Sequence, residues 1–217
     1  MLTDLATAAR KSGLNVVEVS GWRTRGHGQM GDVRTIVAHH TATSAAAPGN
    51  YPSMRIVRDG RSDLPGPLAQ LGLGRDGTVY VIAAGLAYHA GKVRDDDYSN
   101  AHAIGIEAEH PGVGAWSNRQ YDAYVRLCAA LAKHYDVPVS RVLGHKEVCA
   151  PVGRKSDPNF PMAAFREAVA ARARTKKRPE KIRDALKALR ARLPHAGPVE
   201  ARRIRKAIAR LRKINKR

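Results

Sequence analysis

Three segments far apart in the chain each offer a metal ligand of a suitable kind. His39 ends the β-branched run Thr35-Ile36-Val37-Ala38, His145 follows Leu143-Gly144, and Asp157 stands before Pro158 in Gly153-Arg154-Lys155-Ser156-Asp157-Pro158. Two imidazoles and one carboxylate fill three corners of a zinc tetrahedron and leave the fourth to water, the ligand count of a catalytic rather than a structural site. Water on such an ion ionises near neutral pH and becomes a strong nucleophile. The pattern therefore points to hydrolysis. Singly each residue is a weak sign, because the chain has nine histidines. Their contexts give the set its weight: His39 and His145 close apolar runs, and Asp157 is held by Pro158 after a basic stretch.

The elements that must carry these residues can be read from periodicity. Residues 3–12 predict a short helix that Thr3 can cap and Gly13 can end in a left-handed turn. Residues 35–38 predict a buried strand delivering His39 at its C-terminal end. Residues 44–67 are rich in Ser, Gly, Pro and Asn and predict mostly loop, with a weak helical stretch near 53–59. The Arg75-Asp76-Gly77 turn precedes a strand over 78–82. Residues 104–109 alternate, with Ile104 and Ile106 on one face and Glu107 and Glu109 on the other. Ser117 and Gln120 have capping-box spacing, and an apolar stripe from Tyr121 to Ala132 predicts a helix reaching about His134. Another helix is expected from Pro161 to about Ala171. Strands interleaved with helices predict an α/β domain, a mixed central β-sheet flanked by α-helices.

The 217 residues carry a net charge of +19, unevenly placed. Residues 172–217 hold 19 Lys/Arg against Glu180, Asp184 and Glu200, a net of +16, which leaves +3 for residues 1–171. Two apolar stripes, Ile182 to Leu193 and Ile204 to Ile214, flank Pro194-His195-Ala196-Gly197-Pro198. They predict a basic helical hairpin over 179–217 after a linker at 172–178. Such a tail suits an anionic cell-wall polymer or membrane surface. It lacks aromatics for stacking on bases, so specific nucleic-acid binding is not expected. No long apolar span and no signal-like N-terminus are present. The two cysteines, Cys128 and Cys149, are too few for a disulfide framework. The cluster Asp95-Asp96-Asp97 reads as a solvated turn rather than a nuclease site.

Five blocks then occur in order: Ile36-Val37-Ala38-His39-His40-Thr41-Ala42-Thr43, Ala87-Tyr88-His89-Ala90-Gly91, Ile104-Gly105-Ile106-Glu107-Ala108-Glu109, Gly144-His145-Lys146-Glu147 and Gly153-Arg154-Lys155-Ser156-Asp157-Pro158. Over roughly residues 33–170 the chain resembles the type-2 N-acetylmuramoyl-L-alanine amidases, relatives of the peptidoglycan recognition proteins. The resemblance implies Zn²⁺ held by His39, His145 and Asp157, with Cys149 as the rival third ligand because some members use sulfur there. It implies that Glu107 is the general base, with Glu109 as fallback, and that Lys155 stabilises the oxyanion. His89 and His40 are implied to lie on the substrate side or to orient neighbours. Some members carry a catalytic tyrosine ahead of the Arg-Asp-Gly turn; the matching position here, near Ala69 and Gln70, has no aromatic.

The expected activity is thus cleavage of the amide between the N-acetylmuramic acid lactyl group and L-alanine of peptidoglycan, by residues 1–171. The competing reading is a non-catalytic peptidoglycan-binding module with a basic anchor. A signal-less enzyme with an added module looks most like a bacteriophage endolysin, a monomer held in the cytoplasm of the infected host until its release to the wall.

Overall fold

The computed structural model describes the backbone of residues 1–174 and 178–215, and the side chains of residues 1–174 and 185–212. Two compact units divide the chain, Met1–Ala173 and Arg174–Arg217.

In the first unit, helix α1 (Leu5–Arg10) precedes strand β1 (Val16–Glu18) and strand β2 (Thr35–His40). Helix α2 (Met54–Asp59) leads into a two-stranded ribbon, β3 (Gly60–Arg61) and β4 (Leu64–Pro65). Strands β5 (Leu71–Leu73), β6 (Val79–Val81) and β7 (Ala103–Ala108) follow, then helix α3 (Asn118–His134), strand β8 (Val142–Gly144), the single turn α4 (His145–Val148) and helix α5 (Met162–Arg174).

Six strands form one mixed sheet in the order β1-β6-β5-β7-β2-β8. Only β5 and β6 pair antiparallel; the rest are parallel. Strand β2 lies between β7 and β8, and its run from Thr35 to His39 is buried on both faces. That burial is why it reads as continuous β-branched sequence instead of an alternating one.

One face of the sheet packs on helices. Ile36, Ile104 and Ile106 join Leu5 of α1, Tyr124 and Leu127 of α3 and Phe165 of α5 in a single core. The other face carries Val37 and Ala103 against Val148 of α4. Because successive strand residues point to opposite faces, His39 and Glu107 belong with this second group.

Several expected elements differ in extent. The first helix is shorter at both ends, and no side chain caps it, although Gly13 does take a left-handed φ of +72°. The strand over 103–108 stops before Glu109. Ser117 accepts from Gln120 N as the capping spacing requires, but Gln120 turns its amide to Glu109 O (2.8 Å) and Gly74 O (3.4 Å) instead of closing the box. Strands β1 and β5 had no clear sequence signal, being three residues each with Gly72 in the middle of β5. Helix α5 runs on to Arg174, into the stretch expected as linker.

The second unit holds helix α6 (Arg178–Arg192), a 3-10 turn at Leu193–His195 and helix α7 (Pro198–Asn215), a helical hairpin. Ile182 and Ile214, part of the two apolar stripes, lie outside the residues whose side chains are described. Among the described residues no helix is long and apolar enough to cross a membrane.

Candidate metal centre

Strand register assembles the site. His39 pairs with Glu107 across β2 and β7, and Ala38 pairs with Gly144 across β2 and β8, so His145 emerges one residue past the strand end beside His39. The backbone of His39 is pinned by Tyr124 of α3. The tyrosine hydroxyl accepts from His39 N (2.9 Å) and has Ile106 O (2.9 Å) and His39 O (3.1 Å) as acceptors. Asp157 arrives from the last loop, where Lys146 N donates to Asp157 O and the Lys146 ammonium holds the Pro158 and Phe160 carbonyls. Arg154 ties the same loop down by donating to the carbonyls of Ala150, Ala90 and Lys92.

Three donor atoms converge. His39 Nδ1 lies 3.1 Å from His145 Nδ1 and 3.1 Å from Asp157 Oδ2, and His145 Nδ1 lies 3.2 Å from Asp157 Oδ2. These are the only three residues among those described whose His, Cys, Asp or Glu atoms form such a group. Ligands at zinc–donor lengths of about 2.0–2.1 Å in a tetrahedron lie about 3.3 Å apart, so the spacing fits.

The hydrogen bonds behind the ligands also fit. His145 Nε2 faces Ala90 O at 3.1 Å, and a carbonyl can only accept, so this nitrogen carries the proton. His89 Nε2 likewise donates to Ala103 O (3.1 Å), which leaves His89 Nδ1 as the acceptor for His39 Nε2–H (3.1 Å). With neutral rings, both Nδ1 lone pairs therefore point at the Asp157 carboxylate and at each other. Three lone pairs facing inward repel unless a cation sits among them. Imidazole ligands oriented by carbonyls through the far nitrogen are the usual second layer of a metal site.

Electrostatics sharpen this picture. Burial lowers His39 to a pKa of about 4, outweighing the pull of Asp157. Desolvation pushes Asp157 up, but a proton taken up at His145 or His39 Nδ1 in place of a cation would donate to its carboxylate, and that pairing outweighs burial and holds Asp157 well below the ordinary carboxylate range. Burial, with the charge of Asp157 next, raises Glu107 to about 8. Its Oε1 lies 3.9 Å from His39 Nδ1, and its Oε2 is buried without a hydrogen-bond partner.

The remaining candidates occupy distinct places around this centre. Glu109 is 1% exposed and accepts from Thr41 Oγ1 (3.0 Å), Ser53 N (3.0 Å) and Ser53 Oγ (3.1 Å), a carboxylate used to fasten loops. Lys155 is exposed on the rim, close enough for its charge to act on His39 and Glu107. His40 is half-buried on the opposite side of β2, with Nδ1 unpartnered. His89, expected on the substrate side or orienting neighbours, has a ring that is 7% exposed with both nitrogens engaged, His39 Nε2 at one and Ala103 O at the other. Gly105 makes this possible: a Cβ there would sit 2.5 Å from the His89 ring. Cys149 lies outside the cluster, its sulfur near the Lys146 and Pro151 carbonyls.

One neighbour of Glu107 carries no signal in the sequence. Tyr51, in the Ser/Gly/Pro-rich loop, stacks on Tyr80 and donates its hydroxyl to Glu107 O at 3.0 Å. A lone tyrosine in such a loop belongs to no periodic pattern. At the position near Ala69 and Gln70, Gln70 instead bridges Gly85 O and Gly105 N.

The family described as N-acetylmuramoyl-L-alanine amidase matches residues 29–160 of the chain. No curated protein sequence matches. Among solved structures, a selenomethionine derivative of AmpD is 23% identical, covering 71% of this chain and 93% of its own, with a TM-score of 0.53. The endolysin N-acetylmuramoyl-L-alanine amidase LysCS from Clostridium intestinale is 21% identical, covering 72% and 95%, with a TM-score of 0.53. AmiD from E. coli, solved with the substrate anhydro-N-acetylmuramic acid-L-Ala-D-gamma-Glu-L-Lys, is 19% identical, covering 66% and 60%, with a TM-score of 0.50. At these identities the likeness is one of fold.

Proposed function

The chain belongs to the N-acetylmuramoyl-L-alanine amidase family, and on that premise we propose that it hydrolyses the amide between the lactyl group of N-acetylmuramic acid and L-alanine in peptidoglycan, using Zn²⁺ held by His39, His145 and Asp157. The observation that carries this is the convergence of three inward lone pairs at 3.1–3.2 Å with a desolvated carboxyl beside them.

Zinc in this position would supply Lewis acidity and lower the pKa of water. The chain's own groups do the rest. His89, fixed by Ala103 O, holds His39 in the tautomer that frees Nδ1, and Ala90 O does the same for His145. Glu107, with an oxygen free of any hydrogen bond, takes a proton from the attacking water as the water oxygen bonds to the lactyl carbonyl carbon. The same carboxyl returns that proton to the alanine nitrogen as the carbon–nitrogen bond breaks. Burial raises its pKa in the metal-free site, and a dication beside it would favour the carboxylate form that accepts the proton. Tyr51 holds the Glu107 backbone. Lys155, an exposed ammonium whose charge acts on His39 and Glu107, is the group we assign to stabilise the charge that develops on the carbonyl oxygen. We read the protein as an endolysin, meeting its substrate once released to the wall.

Mass spectrometry of purified wall after digestion tests this. New alanine amino termini and free lactyl carboxyls are expected, and His145→Ala should lose both bound zinc and lysis. Cleavage at a glycosidic or interpeptide bond, or stoichiometric zinc in His145→Ala, overturns the assignment.

A further inference from the structure

We propose that the outer surface of the C-terminal hairpin is a binding site for a phosphate-bearing anionic polymer of the cell wall. The hairpin first excludes a different partner. Helix α7 packs on α6 and on the turn at Leu193–His195. Ile204 and Ile208 are buried, and Leu186, Leu189, Ala207 and Leu211 are half-buried. The described part of the apolar stripe that would enter an acyl layer is thus already buried or half-buried. A membrane would have to open the hairpin to reach it.

What remains outside is cationic. On α7, Arg202, Arg203, Arg205, Lys206, Arg210 and Arg212 are all exposed. With a turn of 3.6 residues they spread over the whole arc away from Ile204 and Ile208. Among the described side chains of this unit one ion pair forms, Arg192 with Glu200 at 2.7 Å, and none of those six has an ion-pair partner among the described residues. Arg202, Lys206 and Arg210 follow one another at four-residue spacing, where like charges destabilise a helix by a few tenths of a kcal/mol per pair. Bound anions relieve that repulsion.

The chemistry of the cations selects among anions. Five of the six are arginine, whose planar fork takes phosphate oxygens in pairs. A row of them suits a polymer that repeats its phosphate. Nucleic acid shares that backbone, but residues 174–217 contain no Phe, Tyr or Trp on which bases could stack. The choice of wall polymer over nucleic acid rests on the amidase reading, since the wall is where the proposed substrate lies.

The test uses the full chain in chelator, so that binding is read without turnover. Purified wall that retains its phosphate polymers is compared with the same wall stripped of them by acid, across a salt series. Wild-type protein should bind the intact wall at least tenfold more tightly than the stripped wall, and lose that advantage as salt rises. The sixfold variant Arg202→Gln, Arg203→Gln, Arg205→Gln, Lys206→Gln, Arg210→Gln and Arg212→Gln, with helix content checked by circular dichroism, should bind both walls alike. Equal binding of wild type to both walls overturns the proposal without recourse to any variant. So does tighter binding to anionic phospholipid vesicles or to duplex DNA than to intact wall. Cleavage of soluble muropeptide by the zinc-loaded chain is measured separately; if it fails while the wall contrast holds, the amidase reading falls and the polymer site stands.

Discussion

Replacing Glu107 by Gln separates two consequences of one buried carboxyl. In the metal-free chain its pKa stands at about 8 against an ordinary 4.5. The side chain is 18% exposed, so solvent screens it little. The folded state therefore holds its proton more tightly than the unfolded state. The stability from this group is fully present below pH 4.5 and is lost as pH rises towards 8. At about 1.4 kcal/mol per unit, the loss is on the order of 3 kcal/mol by pH 7 and about 5 kcal/mol above pH 8. Glutamine is neutral throughout and escapes it. Urea unfolding in chelator, followed by the fluorescence of Trp22 and Trp116, should show wild type falling behind Glu107→Gln by several kcal/mol between pH 5 and pH 8. Zinc added back should narrow the gap, because a nearby dication favours the carboxylate. Turnover of the zinc-loaded variant should fall about 10²-fold or more, with zinc retained. Parallel pH profiles would mean that Glu107 sits ionised and solvated, and the proton-transfer argument would fail with its electrostatics.

Glu109→Gln should do the reverse: lose about 1–3 kcal/mol of stability by unfastening Thr41 and Ser53, with turnover per folded molecule within a few-fold of wild type. A turnover loss like that of Glu107→Gln would transfer the base to Glu109. His89→Ala should weaken zinc about 10–100-fold in competition with a chromogenic chelator, because His39 loses the acceptor that fixes its tautomer. Unchanged affinity would reduce His89 to packing. Cys149→Ser should keep full zinc content, and zinc loss there would make sulfur, not Asp157, the third ligand.

Local order along the chain made much of this protein readable in one dimension. The run at 35–38 is β-branched because both faces are buried, and His39 marks its end. The stripe from Tyr121 to Ala132 gives α3, and the charge imbalance isolates the tail. Residue type alone nominates two imidazoles and a carboxylate. Tertiary structure decided what those residues face. That Glu107 lies across from His39 follows from the β2–β7 register, which no local pattern encodes. Two carboxylates on one strand stretch differ because Glu109 meets three donors while Glu107 meets none at Oε2. His89 becomes a support for His39 only because Gly105, on a strand that follows it in the chain, has no Cβ to displace its ring. Sequence carries chemical type and local period, whereas protonation and ligation depend on what other segments bring within hydrogen-bond reach, and those partners are set by how the sheet closes.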